Sequence, residues 1–327
     1  MNWSEKIFGL KNEDQFKNIA LEIFRYQAQH NSVYALYLKH LGTQVSEVKS
    51  LEQIPFLPIE FFKTQKVVAS QSTPQVIFTS SGTTGDNVSR HYVTELDIYE
   101  NSFLKGFQHF YGPAKDYCFL ALLPSYLERK GSSLIYMMEH MILGSQNPNS
   151  GFYLNNHEEL INTLNSLQKT NQKVVLLGVS FALLDLVEKY KLDLSNVIVM
   201  ETGGMKGRRE EITREELHAT LCNRLGVKKI HSEYGMTELL SQAYSKGDSL
   251  FKTPPWMKIL IRDTYDPFSY QEQGLSGGVN IIDLANINSC AFIETKDLGR
   301  IHPNNTFEIM GRFDHSDIRG CNLLVNE

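Results

Sequence analysis

Apolar positions change period along the chain, and the changes mark out its elements. From Asp14 to about Leu41, Phe16, Ile19, Ala20, Ile23 and Phe24 recur at the spacing of one helical face, interrupted at His30-Asn31-Ser32. This predicts two N-terminal helices. Ile54 to Lys63 follows, where Pro55 and Pro58 lack backbone donors and bias their predecessors toward extended conformation. An extended apolar connector is predicted, its aromatic rings packed on the core.

After Pro74 short continuous apolar runs alternate with helical stretches. The runs are Val76 to Phe78, Cys118 to Leu123, Val174 to Leu177 and Val197 to Met200; the helices are Glu158 to Lys169, Phe181 to Tyr190 and Arg214 to Leu225. Uninterrupted apolar strands between helices imply an α/β protein with a largely parallel sheet covered on both faces. From Trp256 the pattern becomes β-rich, with runs at Lys258 to Ile261, Gly278 to Leu284, Ala291 to Glu294 and Thr306 to Met310. No repeat or low-complexity linker separates this region, so it is expected to share one compact body with the rest.

Composition narrows the function classes. A length of 327 residues with 42% hydrophobic content supports a large core, and the net charge of −5 lacks the basic balance of a nucleic-acid binder. Cys118, Cys222, Cys290 and Cys321 are scattered without a CxxC pair, and the ten histidines show no HExxH spacing. Neither a zinc site nor a disulfide framework is signalled. The N-terminus lacks a leader pattern, and no apolar run approaches the roughly 18 residues of a membrane span. A soluble, cytoplasmic protein with reduced thiols is expected.

Candidate chemistry begins at Thr79-Ser80-Ser81-Gly82-Thr83-Thr84-Gly85, directly after a predicted strand. Gly82 and Gly85 permit backbone geometries that let successive N–H groups converge on anionic oxygens, and the hydroxyls of Ser80, Ser81, Thr83 and Thr84 add donors. By itself this could equally be a surface turn. Glu233-Tyr234-Gly235-Met236-Thr237-Glu238 follows another predicted strand, Lys229 to His231. Lys296-Asp297-Leu298-Gly299-Arg300 and Gly311-Arg312-Phe313-Asp314 come after it in order.

These four motifs, in this order, resemble the adenylate-forming superfamily of acyl-CoA synthetases, adenylation domains and luciferases. Within it the chain is most similar to acyl-protein synthetases of the LuxE type. That likeness rests on Ile54 to Lys63, Arg129 to Leu134, Thr202 to Gly207 with Ile212-Thr213-Arg214, and the tail Asp317 to Leu323. The resemblance implies an adenylate-forming domain over residues 1–310 and a hinge-motif tail over 311–327. It also implies ATP-dependent conversion of a carboxylic acid of the fatty class to acyl-AMP, with transfer to a cysteine thiol and then to a partner reductase.

Residue roles follow from the same resemblance. Ser80, Ser81, Gly82, Thr83, Thr84 and Gly85 would hold the β and γ phosphates of ATP, Thr237 the α-phosphate, and Glu238 a Mg2+ ion, a hard cation suited to one carboxylate plus phosphate oxygens. Tyr234 would face adenine with Gly203 and Gly204 allowing close approach, Asp297 would accept from the ribose hydroxyls, and Arg312 would complete the contacts. Without that context Tyr234 could be core, Asp297 a turn residue and Arg312 a surface charge.

Two departures stand out. The Pro-Lys that usually follows the loop is replaced by Asp86 to His91, so Arg90 or His91 is a candidate for the missing positive charge, His91 being equally readable as solvent-facing. Relatives continue past the hinge motif into a C-terminal domain with an assisting lysine, and the resemblance implies that this domain is absent. Lys206, Arg208 and Arg209 are candidates by position for its cation, or else solvated charges. LuxE-type enzymes carry the acyl group on a cysteine near the C-terminus, which Cys321 matches; otherwise it is a buried strand cysteine. A phenylacetate-type ligase using coenzyme A and a catalytically idle nucleotide-binding scaffold are the alternatives.

Overall fold

A computed structural model describes residues 3–69, 72–80, 88–124, 131–154, 156–204, 209–210 and 212–313. Its helices are α1 (Trp3–Phe8), α2 (Glu13–His30), α3 (Ser32–His40), α4 (Phe61–Thr64), α5 (Leu96–Tyr111), α6 (Ser133–Ser145), α7 (His157–Leu167), α8 (Ser180–Lys189) and α9 (Arg214–Leu225). The early strands are β1 (Leu57–Pro58), β2 (Val76–Thr79), β3 (Arg90–Val93), β4 (Tyr117–Leu122), β5 (Gly151–Tyr153), β6 (Lys173–Val179) and β7 (Val197–Thr202). The later ones are β8 (His231–Tyr234), β9 (Ala243–Ser245), β10 (Phe251–Lys252), β11 (Met257–Arg262), β12 (Ser276–Asp283), β13 (Phe292–Ile301) and β14 (Phe307–Arg312).

The α/β class expected from the sequence is what the chain adopts. In place of one compact body, however, it divides into two compact units. The first gathers residues 1–74, 91–94 and 255–327, the second residues 75–90 and 95–254. Contacts of high sequence separation create this division, and no local pattern announces them.

In the second unit β8, β7, β6, β4 and β5 run parallel in that order, and β9 and β10 extend the sheet antiparallel beyond β8. Every residue of β4 is buried, as are six consecutive residues of β6, which is why these strands read as unbroken apolar runs. The helix α9 starts where predicted because Thr213 and Glu216 form a capping box, and it stops at Gly226, whose φ of 64° suits glycine.

In the first unit β11, β12, β13 and β14 form an antiparallel sheet, and β1 pairs parallel with β13. The predicted break between the two N-terminal helices falls at Asn31, whose Oδ1 accepts from Val33 and Tyr34 N–H, both at 3.1 Å, while its Nδ2 donates to Ser289 O at 2.8 Å. Phe24, Tyr34 and Phe292 pack their rings together beneath these helices. The proline-rich connector is only partly extended: β1 is two residues long, and α4 adds a helical turn behind it. Pro58 has no N–H to donate, and the last bond to β13 comes from Ile59 N–H to Glu294 O at 2.9 Å. Among the described residues no helix is long and apolar enough to cross a membrane.

Gln27 ties helix to sheet. Fully buried on α2, its Nε2 donates to Asn286 O (2.9 Å) and Ile287 O (2.8 Å), and its Oε1 accepts from Ala291 N (3.0 Å). These are backbone groups of the turn joining β12 to β13, and burial makes leaving them unpaired costly. Gln27→Leu is therefore expected to lower stability by about 2–4 kcal/mol in urea unfolding. A loss below roughly 0.5 kcal/mol would mean that the turn finds other donors.

Candidate active site

Gly203 and Gly204 follow the carboxyl end of β7, and Gly235, Thr237 and Glu238 that of β8, the edge where open α/β sheets bind ligands. Thr202 ends β7 and pairs in register with Glu233 of β8, so Gly203 and Gly204 emerge beside Tyr234 and Gly235. Gly203 has a φ of +67°, a conformation that disfavours side chains and turns the chain off the strand. Ser180 Oγ, at the start of α8, lies 3.1 Å from Gly203 O and 3.2 Å from Glu201 Oε2.

Glu233 occupies the centre of this edge. It accepts a hydrogen bond from the Thr202 hydroxyl, and its Oε1 fills the space a side chain at 235 would need, a Cβ there falling 2.5 Å away. Gly235 is thus required by the carboxyl behind it. Burial pushes the Glu233 carboxyl up to about 7; the Thr202 hydroxyl opposes this and the Glu201 charge adds to it. Glu201 is itself buried and is flanked by Arg214 Nε at 3.5 Å and His218 Nε2 at 3.6 Å.

Tyr234 is mostly buried, with its ring edge-on to Phe251 at 5.9 Å, and the Arg214 guanidinium lies over that same Phe251 ring. Thr237 and Glu238 follow in a turn closed by Leu239 N–H donating to Met236 O at 3.1 Å. The segment beyond is tied to α5 by Ser241 Oγ and Ser102 Oγ, 3.0 Å apart. At the base of the predicted phosphate loop, Ser80 N–H donates to Ser89 O (3.1 Å) and Ser89 N–H donates to Ser80 Oγ (3.0 Å). Ser81, Gly82, Thr83, Thr84, Gly85, Lys206, Arg208 and Cys321 lie outside the described residues.

In the first unit Asp297 and Arg312 face each other across β13 and β14, with Nε 3.3 Å from Oδ1. The Arg312 side chain is 72% exposed and that of Asp297 10%, so the carboxylate is recessed and the guanidinium is open to solvent. Asp297 lies inside a strand, not in a turn, because β13 runs well beyond the predicted Glu294. His91 is buried, its Nε2 2.9 Å from Ser289 Oγ and its ring edge-on to Phe62. The solvent-facing alternative for His91 is excluded by this burial. Arg209 is ion-paired with Asp185 and Glu188 of α8, so it is neither a free solvated charge nor left open for a phosphate.

Among the described residues no group of three or more His, Cys, Asp or Glu side chains could hold a metal. A single recessed carboxylate such as Glu238 suits Mg2+, which takes its remaining ligands from phosphate and water. Glu233, Thr202, Glu201 and Ser180 escaped sequence reasoning as site residues. The signal available was a pair of acidic residues within buried strands, each just before a glycine-containing motif.

The family model described as "Acyl-protein synthetase, LuxE" matches residues 1–327. No curated protein matches the chain by sequence. Among solved structures, an open conformation of 2-hydroxyisobutyryl-CoA ligase in complex with 2-HIB-AMP and CoA is 14% identical with a TM-score of 0.68, covering 92% of this chain and 70% of that one. ATP-bound MatB from Rhodopseudomonas palustris is 13% identical with a TM-score of 0.56, covering 75% of this chain and 49% of that one. The chain thus spans about half the length of MatB. At these identities the likeness establishes the fold.

Glu233 generates a pH prediction. Between its ordinary value of 4.5 and about 7 the folded protein keeps a proton that the unfolded chain has released, so this stabilising contribution is complete below 4.5 and is lost as pH rises through about 7. Glu233→Gln is expected to flatten that fall, on the order of 2–3 kcal/mol, when urea unfolding is compared at pH about 5 and about 8. An undiminished fall in the variant would assign the titration elsewhere.

Proposed function

The chain belongs to the acyl-protein synthetase family LuxE, and on that premise we propose that it activates a carboxylic acid, of the fatty class, to an acyl adenylate with ATP and then transfers the acyl group to Cys321. The observation that carries this reading is the placement of Tyr234 to Glu238 at the carboxyl end of β8, beside Gly203-Gly204 at the end of β7. Two loops of the kinds needed for adenine and for phosphate leave one sheet edge side by side.

In the first step a substrate carboxylate oxygen attacks the α-phosphorus of ATP. A P–O bond forms to the acid, the bond to the bridging α–β oxygen breaks, and pyrophosphate leaves with that electron pair. Charge grows on the phosphoryl oxygens, so donors fixed in advance lower the barrier. Ser80 through Gly85 hold the β and γ phosphates and Thr237 the α-phosphate. Glu238 would hold Mg2+, which would supply neutralising charge to the phosphates. Tyr234 and the Gly203-Gly204 turn border adenine, Asp297 accepts from the ribose hydroxyls, and Arg312 adds positive charge. Lys206 is the candidate for further charge at the α-phosphate.

In the second step the Cys321 thiolate attacks the acyl carbon, a C–S bond forms and AMP leaves. Support comes from the other cysteines: burial pushes the Cys290 thiol up to about 12 and raises those of Cys118 and Cys222. A thiol held protonated is a poor nucleophile, which disfavours these three as acceptors, the fully buried Cys290 most of all. The thioester then passes to a reductase partner. A reading as a coenzyme A ligase draws on the CoA-bound ligase of similar fold.

Acid-dependent exchange of labelled pyrophosphate into ATP is expected, and a panel of carboxylates of increasing chain length identifies the substrate. Glu238→Gln is expected to slow exchange by about two orders of magnitude. An unchanged rate would remove Glu238 from the reaction. Intact-mass measurement after incubation with acid and ATP is expected to show one acyl adduct that Cys321→Ser lacks while retaining exchange. Free acyl-CoA with an unmodified protein would select the coenzyme A reading, and ATP binding without exchange would select an idle scaffold.

A further inference from the structure

Pairing between β12 and β13 is regular except at one place. Gly278 opposes Leu298 and Asn280 opposes Glu294, so Thr295, Lys296 and Asp297 all stand against the single residue Val279. Such a bulge re-aims side chains and takes backbone groups out of the ladder. Its buried polar groups must then find partners elsewhere.

Arg262, at the end of β11, supplies most of them. Its Nη1 donates to Val279 O and to Asn280 Oδ1, each at 3.0 Å, and its Nη2 donates to Thr295 O at 2.7 Å. Thr295 Oγ1 donates to Val279 O at 2.8 Å and accepts from Asp297 N–H at 3.1 Å. Lys296 O accepts from Phe313 N–H at 2.7 Å, and the Phe313 ring lies 5.6 Å from the Arg262 guanidinium carbon. Together these contacts tie the bulge on the strand that carries Asp297 to β11, to β12 and to Phe313, the residue after Arg312.

The guanidinium is buried, with Glu294 Oε1 3.5 Å from its Nε, and the sheet is cut to receive it. A Cβ on Gly278 would fall 2.4 Å from the guanidinium carbon, and one on Gly277 2.2 Å from Arg262 O. Gly278 thus leaves room for a side chain whose planar fork reaches two carbonyls and an amide at once, while Gly277 lets the two backbones approach closely. Lysine lacks that geometry.

We propose that Arg262 is a positioning residue for the nucleotide, holding the Thr295–Asp297 bulge so that the recessed Asp297 carboxylate is fixed opposite Arg312. This rests on the reading above in which Asp297 receives the ribose hydroxyls. Arg262 touches neither nucleotide nor acid; it acts through Thr295 and Asp297. Its loss therefore weakens recognition of the ribose more than it weakens the chemistry at phosphorus.

Pyrophosphate exchange measured with ATP and with 2′-deoxy-ATP tests this, using Asp297→Asn as the reference. Asp297→Asn is expected to collapse the ratio of kcat/KM for the two nucleotides. Arg262→Lys and Arg262→Gln are expected to lower it tenfold or more, chiefly through KM for ATP. Thr295→Val removes two bonds of the same bulge while leaving the guanidinium in place, and it is expected to act in the same direction even if the Arg262 variants fold poorly. Arg262→Lys and Thr295→Val enzymes that keep the ratio, or lose activity equally on both nucleotides, while Asp297→Asn loses it, overturn the assignment of Arg262 alone. If exchange proceeds but Asp297→Asn leaves the ratio unchanged, the ribose role of Asp297 falls and the proposal falls with it; absence of any acid-dependent exchange overturns the adenylation reading itself.

Discussion

The hydrogen bond from Thr202 to Glu233 joins the ends of two adjacent parallel strands, and the candidate site of the second unit is organised around it. An ionisable carboxyl at that depth is disfavoured by desolvation, which raises its affinity for a proton and makes the Thr202 hydroxyl an important partner. From this pair the chain leaves in two directions, through Gly203-Gly204 on one strand and through Gly235 to Glu238 on the next. A shift of one residue in the register would reverse which side chains face the sheet's covering helices, so register and site are specified together.

The surrounding charges reinforce the same geometry. Glu201 sits one residue before Thr202 and is held between Ser180, Arg214 and His218, which come from the starts of α8 and α9 and from the interior of α9. Arg214 also covers the Phe251 ring against which Tyr234 packs. A change in any one of these groups is felt by both loops because buried polar networks are stabilised collectively. Tyr234 is accordingly a core residue, and it stands at the start of the segment for which the adenine contact is proposed.

The first unit solves a different problem with the same physics. Asp297 is placed by a bulge that frees carbonyls inside an antiparallel sheet, and Arg262 with Thr295 answers them. Gln27 does the equivalent for the turn from β12 to β13. In both cases a single side chain with several donors or acceptors satisfies backbone groups that regular pairing leaves open. The exposed ion pair of Arg312 with Asp297 contributes little to stability by comparison, since solvent screens it.

The amino-acid sequence by itself determined the α/β alternation, the helices α2 and α3 with a break at His30-Asn31-Ser32, the span of α9 and the order of the four motifs, but not α1. These are local: apolar period, capping chemistry and short motifs are written in neighbouring residues. The motif residues Tyr234, Thr237, Glu238, Asp297 and Arg312 were legible for the same reason. Tertiary structure alone decided that β13 extends through Asp297, that the chain divides into two units, that His91 is buried against Ser289 and Phe62, and that Glu233 and Arg262 are central. Those outcomes depend on which distant segment brings a hydroxyl, a carbonyl or a space to a given side chain. Arg262 answers backbone groups up to 33 residues away and Gln27 groups up to 264 away, separations over which no sequence period persists.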